Sequence, residues 1–498
     1  MATNLTDALD FIIKEELAQG IRETRVKLDA VWEDIITSSF GVQSSGLGRN
    51  WLYKRPYTRG LAGSYQFETS TVLEGEDATT RFGEAGHTQL MTAGNGWQGR
   101  YENTLPAFYD VEVKLKEARG DLRVPIKWMQ LDQFDSTVGS AVGQLFKAAA
   151  FKAELRHAMA MYTPDHTKFP VVTNLQNSAI SGNSGFVTGD TAGTIIIDNS
   201  DAAKPHGRIN MLHEGDILDV YTAAAGAKVS TTNYVVVTNV NYLANSFKLT
   251  PVVAATGAAA ANFGMTLDAG SQLCPRHSTT AATAWAGQQP SGFNSWHVSS
   301  GTVNPFTVNG SALTVTANPE WSSLIQTVSG PLTERILTQY IGRFMERLGS
   351  LYDLDTIITP AGVVHAYLEN EDNLSSYERN GRRLDVKGGW ASIDYAYHGK
   401  PFRWAISNFI EPNACYITKI KNNLRELVPP SLPGTGSHSS FDNEFKFLAP
   451  LGGLKGPFMF DPGSALDDTL RAPYYRICEV FPENQTPGII LRGLDETI

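Results

Sequence analysis

From Ser136 to Tyr162 the chain reads STVGSAVGQLFKAAAFKAELRHAMAMY, with apolar residues recurring at helical spacing. On a wheel at about 100° per residue, Val138, Val142, Leu145 and Ala149 form one stripe, while Leu155, Met159 and Tyr162 lie roughly 80 to 120° round from it. The two halves of this helix therefore face different partners. Asp135 or Ser136 can cap its start and Pro164 ends it, for a length of about 39 Å at about 1.5 Å per residue.

Immediately upstream the period changes. In FYDVEVKLKEARGDLRVPIKWM, Val111, Val113 and Leu115 alternate with Glu112, Lys114 and Lys116, and Leu122, Val124, Ile126 and Trp128 alternate with Arg123, Pro125 and Lys127. This alternation predicts two half-buried strands, paired antiparallel across a turn at Arg119-Gly120-Asp121, with Pro125 on an edge. The first 35 residues favour a helix with Leu9, Ile12, Ile13 and Leu17 on one side, followed by an extended arm. Ser64 to Leu105 is Gly-rich and acidic, with too few large apolar residues to form a core, which marks a functional loop or disorder.

Downstream, GDILDVY, NYVVVTNV and NSFKLTP, with a short strand candidate at 194–197, predict a small β-rich barrel or sandwich over about 205–275. PLTERILTQYIGRFMERLG predicts a helix with Pro331 near its first turn, Gly349 past its end and Leu337, Ile341, Phe344, Met345 and Leu348 inward. LDTIITPAGVVHAYLEN reads as a strand, a Thr359 cap, Pro360 at the first helical position, and a helix. Strands dominate from 385 onward, including PFRWAISNFI, ACYITKI, YYRICEVF and GIILRGL, so the fold class is α+β.

Composition narrows the function. A chain of 498 residues can bury a sizeable core, and a net charge of -10 argues against a dedicated nucleic-acid binder, whose footprint would be basic. Cys274, Cys415 and Cys478 are odd in number and far apart, which predicts neither a disulfide framework nor a zinc knuckle. The N-terminus lacks a basic region followed by an apolar one, and no run reaches the roughly 18 apolar residues of a membrane span. The expectation is a soluble protein made in the cytoplasm.

Enzyme motifs are missing: no phosphate loop, nucleophile elbow, H-E-x-x-H or dinucleotide fingerprint occurs. His157 reads as a packed or surface histidine rather than a ligand, and Asp165-His166 as a Pro-flanked loop rather than a metal corner. Glu76-Asp77 reads as solvated or salt-bridged rather than as a glycosidase pair. No catalytic, cofactor or metal residues are assigned. Charge is segregated instead. Glu74, Glu76, Asp77 and Glu84 lie in the acidic loop, while Lys147, Lys152 and Arg156 lie on the long helix, so these seven are the candidate contacts between copies of the chain.

The order of helical arm, Gly-rich acidic loop, FYDVEVKLKEARGDLRVPIKWMQLDQFD strands and SAVGQLFKAAAFKAELRHAMAMY helix resembles the major capsid proteins of tailed bacteriophages, the Hong Kong 97-type fold. The resemblance implies an N-terminal arm at 1–60, an extended E-loop at 61–107 and a peripheral (P) domain with its spine helix at 108–194. An inserted β-rich domain at 195–290, a second P-domain part at 291–355, an axial (A) domain at 356–470 and returning strands at 471–498 complete it. It further implies hexamers and pentamers of this chain forming an icosahedral shell around double-stranded DNA, touched weakly and without sequence preference. Portal, scaffolding and decoration or cement proteins are the implied partners, and the virion the implied location after synthesis in the host cytoplasm. An encapsulin-like nanocompartment shell is one alternative. A β-rich carbohydrate-binding or carbohydrate-cleaving protein is the other.

Overall fold

The computed structural model describes, isolated positions aside, residues 29–38, 42–45, 50–59, 107–125, 175–177, 193–197, 272–275, 290–348, 353–374, 395–429, 445–447, 459–460, 469–484 and 487–496, with parts of 151–162 and 209–260. The N-terminal helix, the acidic loop from 61 and the first half of the long helix lie outside the described residues. The chain divides into two compact units, one of Met1–Tyr53, Val113–Pro305 and Ala312–Ile498, the other of Lys54–Glu112 with Phe306–Ser311.

In the smaller unit the described backbone at 54–59 and 107–112 is strand. Val111 and Phe306 are buried, Lys54 pairs with Glu112, and the Thr307 hydroxyl donates to the Glu112 carbonyl at 3.3 Å.

Among the described residues, three sheets lie within the larger unit. One is mixed and runs, in spatial order, Leu324–Gly330, Ile489–Leu494, Ala414–Thr418, Thr356–Thr359, Lys400–Ile406 and Tyr395–Tyr397. Its core comes from Ile357, Cys415, Ile417, Ile489 and Leu491, packed with the inward side chains of two helices, Glu334–Leu348 and Ala361–Leu374. On the first helix Leu337, Ile341 and Phe344 are buried and Arg343 and Glu346 exposed, as the 3.6-residue period requires. Each such large side chain contributes about 1.5–3 kcal/mol on leaving water. The hydroxyl of Thr359, expected as a helix cap, instead accepts the Trp404 indole N–H at 2.6 Å.

The second sheet is the β-rich module, ordered Gln272–Pro275, Ile217–Tyr221, Asn233–Asn241, Ser246–Val253, Gly193–Ile197 and Leu175–Asn177. All its described pairings are antiparallel, and Leu218, Val220, Val235, Val237, Phe247, Leu249 and Leu273 form a separate core. It begins at Leu175, earlier than the 195 and 205 expected from sequence, because the polar loop around 175 supplies its outermost strand.

The third sheet centres on the long strand Thr469–Pro482, flanked by Lys116–Pro125, Leu424–Leu427, Phe445–Phe447 and Met459–Phe460, with Ile36–Ser38 parallel to Leu424–Leu427. It corrects one expectation. Ala107–Lys114 and Lys116–Pro125 are not a hairpin: they belong to different sheets, and Arg119, Gly120 and Asp121 pair with Tyr475, Tyr474 and Pro473. Period-2 alternation reports that a segment is extended and does not name its partner. A ten-residue ladder against the C-terminal strand satisfies more backbone groups than a tight turn would. Pro125 does stand at the end of a strand paired on one side only among the described residues.

The described residues from 151 to 160 are helical, and the rotated stripe is inward: Leu155, Met159 and Tyr162 are buried, whereas Phe151 is exposed. The helix ends against a short helix, Phe293–Trp296, whose first N–H donates to the Met161 carbonyl at 2.8 Å. That approach needs a glycine. A Cβ at Gly292 would lie 2.3 Å from the Met161 oxygen. Gly292→Ala is therefore expected to destabilise the chain by about 1–3 kcal/mol through overpacking, read as a lower urea midpoint; an unchanged midpoint would contradict the contact.

Candidate functional site

The end of the long helix is the meeting point of buried Asn294, Glu411 and Tyr416 with the largely buried Arg492. Arg492, on the strand Ile489–Leu494, reaches Glu411 through Nε at 3.0 Å and Nη2 at 3.3 Å, and Nη2 also donates to Asn294 Oδ1 at 3.0 Å. Asn294 Nδ2 donates to Glu411 Oε1 and to the Tyr416 hydroxyl, both at 2.8 Å, and the Tyr416 hydroxyl donates to Glu411. A guanidinium fork and a carboxylate match in geometry, so the pair is held at both ends. Three segments far apart in sequence, around Asn294, Glu411–Tyr416 and Arg492, are thereby fixed to one another, and burial raises the Tyr416 phenol well above its usual range.

A second group binds the chain's early residues to this centre. Asp29 caps the 3-10 helix Ala30–Asp34 by accepting from Val31 N at 3.1 Å, and its other oxygen accepts from the Ser407 hydroxyl at 3.1 Å. Burial pushes the Asp29 carboxyl up and the Tyr162 phenol beside it well up. Arg403 bonds both Glu33 and Asp34, the former at 2.7 Å. Ile36–Ser38 then adds a parallel strand, and the Ser38 carbonyl accepts from Val428 N at 3.1 Å. Val31, Trp32 and Ile35 are buried beneath these bonds. Within the 1–60 segment expected to gain its order from other copies, residues 29–38 are thus held by their own chain.

Two more buried groups complete the site. His297 lies between the Thr418 hydroxyl, 2.9 Å from Nε2, and the Ser323 hydroxyl, 3.4 Å from Nδ1, and burial lowers its pKa to about 4. Glu479 accepts from Ser291 N at 2.6 Å, and burial pushes its carboxyl up to about 7. His157, read from sequence as a packed or surface residue, is buried, with its Nε2 2.9 Å from Glu426 Oε1 and its ring centroid 4.9 Å from that of Trp32.

Of the seven candidate contact residues, Glu74, Glu76, Asp77, Glu84, Lys147 and Arg156 lie outside the described residues or have side chains that do. Lys152 is exposed and pairs within its own chain with buried Asp216 at 3.1 Å, joining the long helix to the β-rich module. The polar junction was not legible from sequence: Asn294, Glu411, Tyr416 and Arg492 occupy no motif, and only Tyr416 and Arg492 stand on strands, as polar groups in otherwise apolar runs. Among the described residues, no helix is long and apolar enough to cross a membrane. Arg492, Glu411, Asn294 and Tyr416 hydrogen-bond one another, which holds the segments that carry them in one arrangement.

Two outcomes follow from these environments. Removing one partner of the buried pair, by Arg492→Met or Glu411→Leu, should cost about 3–5 kcal/mol, while the double replacement should cost clearly less than the sum because no charge is stranded; additive losses in denaturant melts would contradict a coupled pair. Folded Glu479 holds its proton up to about pH 7 and unfolded Glu only to 4.5, so its burial lowers stability increasingly as pH rises between those values. Glu479→Gln should therefore be more stable than the parent at pH 8, by about 3 kcal/mol at most, and no more stable at pH 4. The reverse order would refute the assignment.

No protein-family model matches the chain, and no curated protein does. Among solved structures it is similar to a chain of the cyanophage A-1(L) capsid asymmetric unit, with a TM-score of 0.35 and 11% identity over 94% of this chain and 91% of that one. It is also similar to a chain of the native GTA particle capsid, with a TM-score of 0.34 and 8% identity over 95% and 90% of the two chains. Similarity to the SrpI encapsulin of Synechococcus elongatus PCC 7942 has a TM-score of 0.22 and 10% identity, and covers 35% of this chain and 54% of that one.

Proposed function

We propose that this chain is a shell-forming structural protein, the major capsid protein of a tailed double-stranded DNA bacteriophage, assembling into the hexamers and pentamers of an icosahedral wall. The observation that carries the reading is the division of the chain. Lys54–Glu112, together with Phe306–Ser311, forms a compact unit of its own, at the place where the order of elements puts an extended loop. Val111 and Phe306 are its buried apolar side chains among the described residues. Its described strands are parts of Asn50–Arg59, Ala107–Lys114 and Thr302–Val308, and a small sheet that buries few apolar side chains gains stability from lying on a neighbouring copy.

The larger unit supports the same reading from the other side. Its rigidity rests on closed polar groups, and a wall under internal load needs subunits that do not shear. Contacts that repeat head to tail and close on themselves give rings, and each obligate contact buries upward of about 2,000 Å². A net charge of -10 limits contact with packaged DNA to something local and weak. Portal, scaffolding and decoration proteins belong to this proposal as partners.

The overexpressed protein, viewed by negative-stain microscopy, is expected to form closed shells. Shells recovered from uninfected cells with protein cargo and no nucleic acid would favour the nanocompartment, and a stable monomer that binds or hydrolyses a glycan would overturn the reading. Deleting residues 70–90 should leave a soluble, folded subunit that forms no closed shell, whereas normal particles would refute an intersubunit role for the loop. Reversing Lys147, Lys152 and Arg156 together should impair assembly more than folding. Lys152→Glu alone, which also meets Asp216, isolates the part of that loss that arises within the chain.

A further inference from the structure

Three chemically reactive side chains play no part in the shell proposal and yet converge. His157 comes from the long helix, Glu426 from Leu424–Leu427 and Cys478 from Thr469–Pro482, and all three are buried. One donor atom from each can be chosen so that all lie within 4.8 Å of one another. Nε2 of His157 is 2.9 Å from Glu426 Oε1, and Nδ1 is 3.8 Å from Cys478 Sγ. We propose that His157, Glu426 and Cys478 bind one divalent cation of the zinc class.

The donor set fits that ion. Imidazole, carboxylate and thiolate are the three side-chain ligands zinc takes, at about 2.0–2.3 Å, so two donors sharing one ion stand about 3–4 Å apart. The nitrogen-to-oxygen separation is already at the lower end of that range. The two ring nitrogens face different partners, so the ion takes one of them and the side chain facing the other must rotate toward it. Charge also balances: a carboxylate and a thiolate neutralise a divalent cation, which removes the cost of an uncompensated charge in a dry interior. The surroundings hold the ligands in place. The Thr37 hydroxyl donates to the other oxygen of Glu426 at 3.3 Å, and the Trp32 ring packs on the imidazole.

The three ligands are 52 to 321 residues apart in sequence (426 and 478, 157 and 478), so the ion would cross-link the long helix, the short strand, the C-terminal strand and, through Thr37, the early segment. Ligation releases the Cys478 proton to solvent, so affinity falls as pH falls. Sequence spacing gave no hint of this, because each ligand stands alone on its element.

The test uses the full chain, purified without chelator and independent of shell formation. Elemental analysis is expected to find about one zinc-class ion per chain. Titration of chelator-stripped protein with Co2+ should produce a thiolate-to-metal charge-transfer band that Cys478→Ser abolishes, Glu426→Gln weakens at least about tenfold in affinity, and Cys415→Ser leaves intact. If Cys478→Ser fails to fold, the parent protein still decides: stripping the ion should lower its melting temperature and added Zn2+ should restore it. Absence of both ion and charge-transfer band in the folded parent, a band that survives Cys478→Ser, or a melting temperature indifferent to Zn2+ would each overturn the site.

Discussion

A guanidinium and a carboxylate removed from water at the heart of the larger unit set the terms for everything around them. Neither Arg492 nor Glu411 can be left unpaired there without a penalty of several kcal/mol, and their remaining bonding capacity must also be met. Asn294 and Tyr416 meet it, and in doing so they fix where the short helix after Gly292, the strand Ala414–Thr418 and the last strand can lie. An apolar core tolerates sliding of its layers by small repacking. A core threaded by directional bonds has one register.

That constraint reaches outward in steps. Gly292 lets the Phe293 amide meet the end of the long helix, so the helix is docked on the polar centre. Tyr162, the last buried residue of that helix, stands beside Asp29, which caps the 3-10 helix whose acidic residues hold Arg403. The long helix, the early segment and the sheets are thus set by a chain of short-range contacts, each of which needs the one before.

Much of the fold could be read from the chain, and the failures are instructive. The helix Glu334–Leu348, with Leu337, Ile341 and Phe344 inward, and the strands of the β-rich module follow from periodicity because one face of each element is buried and the other wet. Strand partnership did not follow: Lys116–Pro125 chose Thr469–Pro482, more than 300 residues away, over its neighbour. The status of 29–38 was also hidden, since Asp29, Glu33 and Asp34 look like solvated acids until Ser407 and Arg403 are brought beside them. The polar junction and the His157 cluster are products of long-range closure, and local patterns carry no record of them.

The proposal is a division of labour: the described early segment 29–38 is held by its own chain, and the Lys54–Glu112 unit is to gain its order from other copies. Amide exchange on dilute protomer and on assembled particle tests it directly. Residues 29–38 should exchange as slowly as Ala414–Thr418 in both states, and the strands at 54–59 and 107–112 should slow only on assembly. Full protection of those strands in the lone protomer, or rapid exchange across 29–38, would contradict the account.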